Sequence, residues 1–224
     1  LPNKNIKKLA GKPLIAYSIS AGIKSKLIDR VIVSTDSDEY ASISKDYGAE
    51  VPFIRPNKYS GDKSTDYDFV KHLLDWLADN DGNTPDYIIH LRPTTPLRDP
   101  SILDSAIEKF MSNEQASSLR SAHEMPETAY KQFELEGKYF KTICTGYFKL
   151  DDANNSRQSF PKTYTPNGYV DILKTSQILK NHLLHGNRVM GYVTDYTIEV
   201  DTLDDFEFLE WQANKNNQII KKLF

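Results

Sequence analysis

Apolar positions along this chain alternate between two spacings, and the switching predicts alternating strands and helices. Residues 86–91, Asp-Tyr-Ile-Ile-His-Leu, form a short run that predicts a buried strand. A loop with two prolines, two threonines and two arginines follows. Then comes Asp99-Pro100-Ser101, where Asp suits a helix N-cap and Pro the first helical position. Upstream, Leu14, Ile15, Ile19 and Ile23 fall at helical spacing, and residues 30–34 form a β-branched run that predicts a strand. A helix follows to about Tyr47, stopped by Gly48, and residues 51–54 predict the next strand. Beyond a polar loop, Phe69, Val70, Leu73, Leu74 and Leu77 mark one face of a helix running to Ala78. Further strands are predicted over 116–122, 169–173, 189–193 and 197–200. Helices are predicted over 101–111, 175–184 (stopped near Gly186) and from Leu203 to about Lys215. This rhythm predicts an α/β fold with a doubly wound, mostly parallel sheet, the whole chain forming one domain.

Residues 123–165 break the rhythm. They carry Phe133, Tyr139, Phe140, Tyr147, Phe148, Phe160 and Tyr164 among charges and turns. We read them as an inserted dimerisation arm whose aromatics a partner subunit covers. The other reading is an excursion packed on its own domain.

Composition narrows the function classes. A chain of 224 residues with 39% hydrophobic content can bury a full core. A net charge of −3 gives no nucleic-acid footprint, so an acidic small substrate would need a local basic pocket. The single cysteine, Cys144, allows no internal disulfide and implies no zinc cluster. No apolar run is long enough for a bilayer and no signal peptide is visible, so the expected location is the cytoplasm, with no membrane partner. The chain opens Leu1-Pro2-Asn3-Lys4-Asn5 without the strand that normally starts an α/β domain, and this start is expected to be trimmed.

Candidate chemistry gathers at predicted strand ends, where open α/β sheets bind ligands. Arg92 and Arg98 offer forked donors suited to carboxylate or phosphate, with Thr94 and Thr95 between them; a rigid turn with solvated arginines is the competing reading. Gly11-Lys12 is not a phosphate-binding P-loop, because the upstream glycine is missing and Pro13 stands where Ser or Thr is needed. Glu199 and Asp201 alternate onto one face of a predicted strand and suit Mg²⁺, although Asp201 would also serve as a helix cap, and Thr202 with Asp205 as a capping pair.

The segments LPNKN, GKPLIAYSI, RVIVSTDSDE, RP with SGDKSTD, LRPTTPLRDP, PNG and IEVDTLDDF occur in an order and spacing that resembles the CMP-sialic acid synthetases. These acylneuraminate cytidylyltransferases include enzymes for CMP-legionaminate and CMP-pseudaminate. The resemblance covers nearly the whole chain and implies a nucleotidyl transfer. The anomeric hydroxyl of a 2-keto-3-deoxy, sialic-acid-like sugar acid attacks the α-phosphate of CTP, giving a CMP-sugar and pyrophosphate with Mg²⁺ as cofactor, in a homodimer. It implies Lys4 and Asp201 as catalytic residues, Asp201 and Glu199 as metal ligands, and Lys4, Asn5, Arg55, Asp62, Ser64 and Thr65 as the nucleotide side, with Asp66 in the same loop. Arg92, Thr94, Thr95, Arg98, Arg157 and Asn167 match the sugar side. Departures are Arg92 where the family usually has Gln, Glu199 for Asp, Thr165 for an arginine and Asp171 for an aromatic. They argue against a standard N-acetylneuraminate pocket. The family's preceding strand and loop has no counterpart in this sequence. The alternatives are a CMP-Kdo-type cytidylyltransferase for an eight-carbon acid, a nucleotide-sugar-dependent glycosyltransferase, and a non-catalytic binding module.

Overall fold

The computed structural model describes residues 3–61, 63–144, 149–215 and 217–224. Its central four-stranded sheet is built from β3 (Tyr87–His90), β4 (Ser118–Glu124), β7 (Tyr164–Lys174) and β8 (Val189–Val193), in the order β3-β7-β4-β8. Strand β7 runs antiparallel to both its neighbours and β8 runs parallel to β4, so three strands share one direction and β7 opposes them. Two short pairs flank the sheet: β1 (Lys8–Leu9) with β2 (Lys12–Pro13), and the hairpin β5 (Phe133–Glu136) with β6 (Tyr139–Thr142).

Helices cover both faces, as doubly wound sheets require. On one face, α1 (Leu14–Lys24), α4 (Pro100–Met111), α6 (Leu203–Lys215) and α7 (Gln218–Leu223) pack Leu14, Tyr17, Leu103, Phe110, Phe206 and Leu223 onto Leu119, Val170 and Ile172 of the sheet. On the other, α3 (Asp66–Asn80) and α5 (Thr175–Asn181) pack Val70, Leu74 and Ile178 onto Ile88 and Leu173. Helix α2 (Asp38–Asp46) lies outside these layers, next to α1.

Local chemistry explains the helix starts. Ser37 caps α2, accepting from the Tyr40 amide. Thr65 and Asp68 form a reciprocal capping box at α3, and Asp99 caps α4 with Pro100 behind it. Four expectations need correction, and one helix had no expectation at all. Residues 30–34 and 51–54 form no ladder; a single parallel bridge joins Ile32 to Glu50, just before the second segment, through Val33 N to Glu50 O and Glu50 N to Val31 O. Residues 197–200 are extended but not a strand, bonding laterally only from the Val200 amide to the Thr94 carbonyl, 2.8 Å. Helix α5 stops at Asn181 rather than near Gly186, because His182 adopts the left-handed conformation (φ 55°). Strand β7 starts at Tyr164, well before 169, since it also pairs with the far half of β4. Helix α7 was not expected; it packs Ile219, Ile220 and Leu223 on the core within only six residues, too short a run to announce itself by period.

The inserted arm holds the β5–β6 hairpin, turned through Gly137 at φ +65°, a value the primed two-residue turns require. Tyr147 and Phe148 of the expected arm lie outside the described residues.

Candidate active site

A cavity of about 540 Å³ opens at the end of β3, between residues 30–36, the start of α3 and the loop after β3. Lys4, Asn5, Arg55, Arg92, Thr94, Glu199 and Asp201 line it together. Seven side chains singled out in the sequence thus meet at one place, from segments almost 200 residues apart.

The 197–201 segment supplies the acidic rim. Ile198 and Val200 turn into the core, 7% and 0% exposed, so Glu199 and Asp201 turn out on the opposite face. The alternation survives although no ladder forms. Lys4 Nζ donates to Asp201 Oδ1 at 2.8 Å and to the Val200 carbonyl at 3.2 Å. Glu199 Oε1 accepts from Thr94 Oγ1 at 3.1 Å. Asn5 Oδ1 is buried with no hydrogen-bond donor, an acceptor left open beside Lys4.

On the opposite wall Arg55 donates from Nε to Ser60 Oγ at 3.0 Å, stands over the Phe69 ring and lies 3.8 Å from Asp36. Thr65 is consumed by the capping box, and Ser64 does not reach the cavity wall. Asp62 lies outside the described residues.

The loop after β3 is held from behind. Arg98 is completely buried, its guanidinium donating to the carbonyls of Tyr169, Gly168 and Arg92 and to Ser18 Oγ at 2.6–2.8 Å. Burial pulls its pKa down to about 9, still above neutral pH, so the charge stays on those carbonyls. Arg98 is thus turned into the core and does not line the cavity, unlike the sugar-side place expected of it. Thr95 is likewise buried and donates to the Asn167 carbonyl at 3.1 Å. Asn167 is 1% exposed; its Nδ2 donates to Thr194 Oγ1 at 2.7 Å. Gly168 needs to be glycine: it has φ +60°, and a Cβ there would lie 3.1 Å from Thr95 Oγ1, 3.5 Å from Arg92 Cδ and 3.6 Å from Glu199 Oε1. Arg157 stands apart, paired with Glu124 away from the cavity.

The lining residues missed include Arg30, Asp36, Tyr40, Phe69 and His90. His90 was findable, because two residues before Arg92 on a strand means the same face. Burial, then the nearby Arg92 charge, pushes its pKa down to about 4, so its imidazole is neutral. The cavity wall carries four cationic side chains (Lys4, Arg30, Arg55, Arg92) and four carboxylates (Asp36, Asp66, Glu199, Asp201). The balance means that a highly charged anion entering here must bring a cation with it.

Among the described residues no three His, Cys, Asp or Glu side chains form a metal cage, and no helix is long and apolar enough to cross a membrane. The Glu199–Asp201 donor set does fit an ion that keeps water and phosphate in most positions, as Mg²⁺ does.

A mixed sheet with helices on both faces and a charged cavity at its strand ends defines an α/β protein with its crevice where such sheets bind ligands. Comparison with known proteins narrows this. A family profile described as cytidylyltransferase matches residues 1–210, and the chain belongs to that family. It is 39% identical to the CMP-N,N'-diacetyllegionaminic acid synthase of Legionella pneumophila, over 98% of this chain and 93% of the relative. It is 30% identical to the N-acylneuraminate cytidylyltransferase of Escherichia coli O18:K1:H7, over 98% of this chain but 51% of the relative. The chain thus spans about half the length of the N-acylneuraminate cytidylyltransferases it matches. In fold it resembles a CMP:2-keto-3-deoxy-manno-octonic acid synthetase solved with CTP, with a TM-score of 0.69 at 13% identity, covering 96% of this chain and 93% of that one.

Proposed function

We propose that the protein transfers the cytidylyl group of CTP to a nonulosonic, sialic-acid-like sugar acid. The observation that carries this reading is the convergence of Lys4 and Asn5 from the first motif, Arg55 from the fourth, Arg92 and Thr94 from the fifth, and Glu199 and Asp201 from the last around one cavity. Family membership supports the cytidylyl group, and the 39% identical legionaminic acid synthase supports a nonulosonic acceptor. The eight-carbon alternative draws only on a fold likeness at 13% identity.

In this reading the triphosphate lies along Lys4, with Arg55 and the α3 loop toward the nucleoside. The sugar acid sits by Thr94 and the Asn167–Gly168 turn. The anomeric oxygen forms a bond to the α-phosphorus, the bond to the β-phosphate oxygen breaks, and pyrophosphate leaves with the electron pair while the hydroxyl proton passes to water. The work of the protein is positioning and charge neutralisation. Asp201, with Glu199 beside it, would hold Mg²⁺, which when bound supplies Lewis-acid neutralisation of phosphate charge. Lys4 moves from Asp201 to phosphate oxygen, its compact ammonium suiting either partner.

The hairpin supports a homodimer. Phe133, Leu135 and Phe140 share one face of it, 41%, 65% and 63% exposed, while Glu134, Glu136 and Lys141 pair on the other.

The test is pyrophosphate release with CTP, Mg²⁺ and a panel of legionaminic, pseudaminic, sialic and eight-carbon 2-keto-3-deoxy acids. Release with a nine-carbon acid is expected. Release with the eight-carbon acid alone would transfer the reading to that class. Failure to bind CTP would remove it.

A further inference from the structure

Arg92 was expected to meet substrate, yet both ends of its guanidinium are already used. Nη1 donates to Asp171 Oδ2 at 2.8 Å and Nη2 to Asp66 Oδ2 at 2.5 Å. The strand register explains why these three meet. His90 of β3 and Arg120 of β4 each stand directly opposite Asp171 of β7, so the three side chains form a row on one sheet face. The next row on that face, Ile88 and Leu173, packs under α3 and α5. Arg92, two residues past His90, returns to the same face, where Asp66 begins α3.

Asp171 is 1% exposed. Its Oδ2 is bonded by Arg92, while its Oδ1 has no hydrogen-bond donor and only Arg120 Nε at 3.7 Å. A carboxylate so placed needs a close cation, because a buried unpaired charge is far more costly than a buried pair. Arg92 is that cation. Burial works against its charge, but the hydrogen bonds and fields of Asp171 and Asp66 hold it above the ordinary arginine range.

We propose that Arg92 is a positioning residue rather than the ligand of a substrate carboxylate: with Asp171 and Asp66 it ties the loop after β3, the strand carrying Asn167–Gly168 and the start of α3 into one unit. Two of the five guanidinium N–H donors are held by protein carboxylates, so a substrate carboxylate would have to compete with Asp171 and Asp66 for this charge. The two departures from the resemblance, Arg92 and Asp171, are then one compensating pair. Because α3 follows directly on the loop carrying Arg55, the brace transmits order from the sugar side to the nucleotide side. This last consequence rests on the proposed function; the brace itself does not.

A double-mutant cycle tests it: Arg92→Gln, Asp171→Asn and both together, read by thermal unfolding of the ligand-free protein and by CTP binding. Each single change is expected to lower Tm by about 10 °C, and the double to recover at least half of that loss. CTP affinity should fall roughly tenfold in Arg92→Gln and return in the double, a readout that lost packing alone would not move. If neither single variant folds, a folded double supports the brace and an unfolded one overturns it. Additive losses in Tm would also overturn it. So would a stable Arg92→Gln variant with unchanged CTP affinity and a KM for the sugar acid raised tenfold or more, the mark of a direct carboxylate ligand. Coupled Tm values without CTP binding in the unaltered protein would keep the brace and remove the functional reading.

Discussion

Lys4 and Asp201 are joined by a 2.8 Å ion pair although 197 residues separate them in sequence. The Asp201 side chain is 67% exposed, so the pair contributes little to folding, about 0.5 kcal/mol. Its value lies in placement: an ammonium and a carboxylate held at one cavity rim, each able to exchange its partner for phosphate or metal. Asp201→Ala should leave Tm within a few degrees of the parent and lower pyrophosphate release at least 100-fold. Normal turnover in a folded Asp201→Ala protein would take this carboxylate out of the chemistry.

The fully buried Arg98 makes the opposite case, a charge held in the core and absent from the cavity lining. Its guanidinium satisfies the carbonyls of Arg92, Gly168 and Tyr169 at once. Arg98→Met keeps the length but leaves those acceptors without their donor in the core, where each costs about 1–3 kcal/mol. We expect a stability loss of about 3–5 kcal/mol in urea unfolding. A loss under 1 kcal/mol would mean that water replaces the guanidinium.

What was legible in the sequence was local. Asp99-Pro100 announced α4 because a cap and a ring-fixed φ act within two residues. The period of Phe69, Val70, Leu73, Leu74 and Leu77 announced α3 for the same reason. Lys4 and Arg55 were legible only through the order of the motifs, and although Glu199 and Asp201 could be paired by alternation, nothing local joins Lys4 to a carboxylate 197 residues away. Arg98 misled because an arginine in a polar loop looks solvated, and its burial depends on carbonyls that β7 delivers from 70 residues away. Residues 30–34 misled in the other direction. Their β-branched run is real, but a strand also needs neighbours, and propensity carries no information about those.

The hairpin carries a prediction about assembly. Leu135 stands directly opposite Phe140, and both side chains are more exposed than not. Light scattering should give about twice the 25.6 kDa chain mass. The double change Leu135→Glu/Phe140→Glu should return it to one chain mass without altering Tm measured at low protein concentration. A parent protein that is monomeric at tens of micromolar would leave the arm without the partner assigned to it.

His90 sets the pH dependence. It faces Asp66 at 4.0 Å, Arg92 beyond it and the ring of Phe69, and burial first, then the Arg92 charge, push its pKa from 6.5 to about 4. The unfolded chain therefore binds a proton near pH 6.5 that the folded chain refuses until about pH 4. Between those values acidification favours unfolding, and stability present at pH 7 is lost as the pH falls. For this one group the loss between pH 7 and pH 5 is about 2 kcal/mol. His72, His123 and His185 are also shifted downward by burial and add to the slope with the same sign. The comparison that isolates His90 is with His90→Leu, whose urea-unfolding free energy should fall by about 2 kcal/mol less over the same interval. Parallel slopes for the two proteins would mean that the Asp66 carboxylate offsets burial and leaves His90 with the same pKa folded and unfolded. The cavity would then gain that positive charge as the pH falls through about 6.5 rather than about 4.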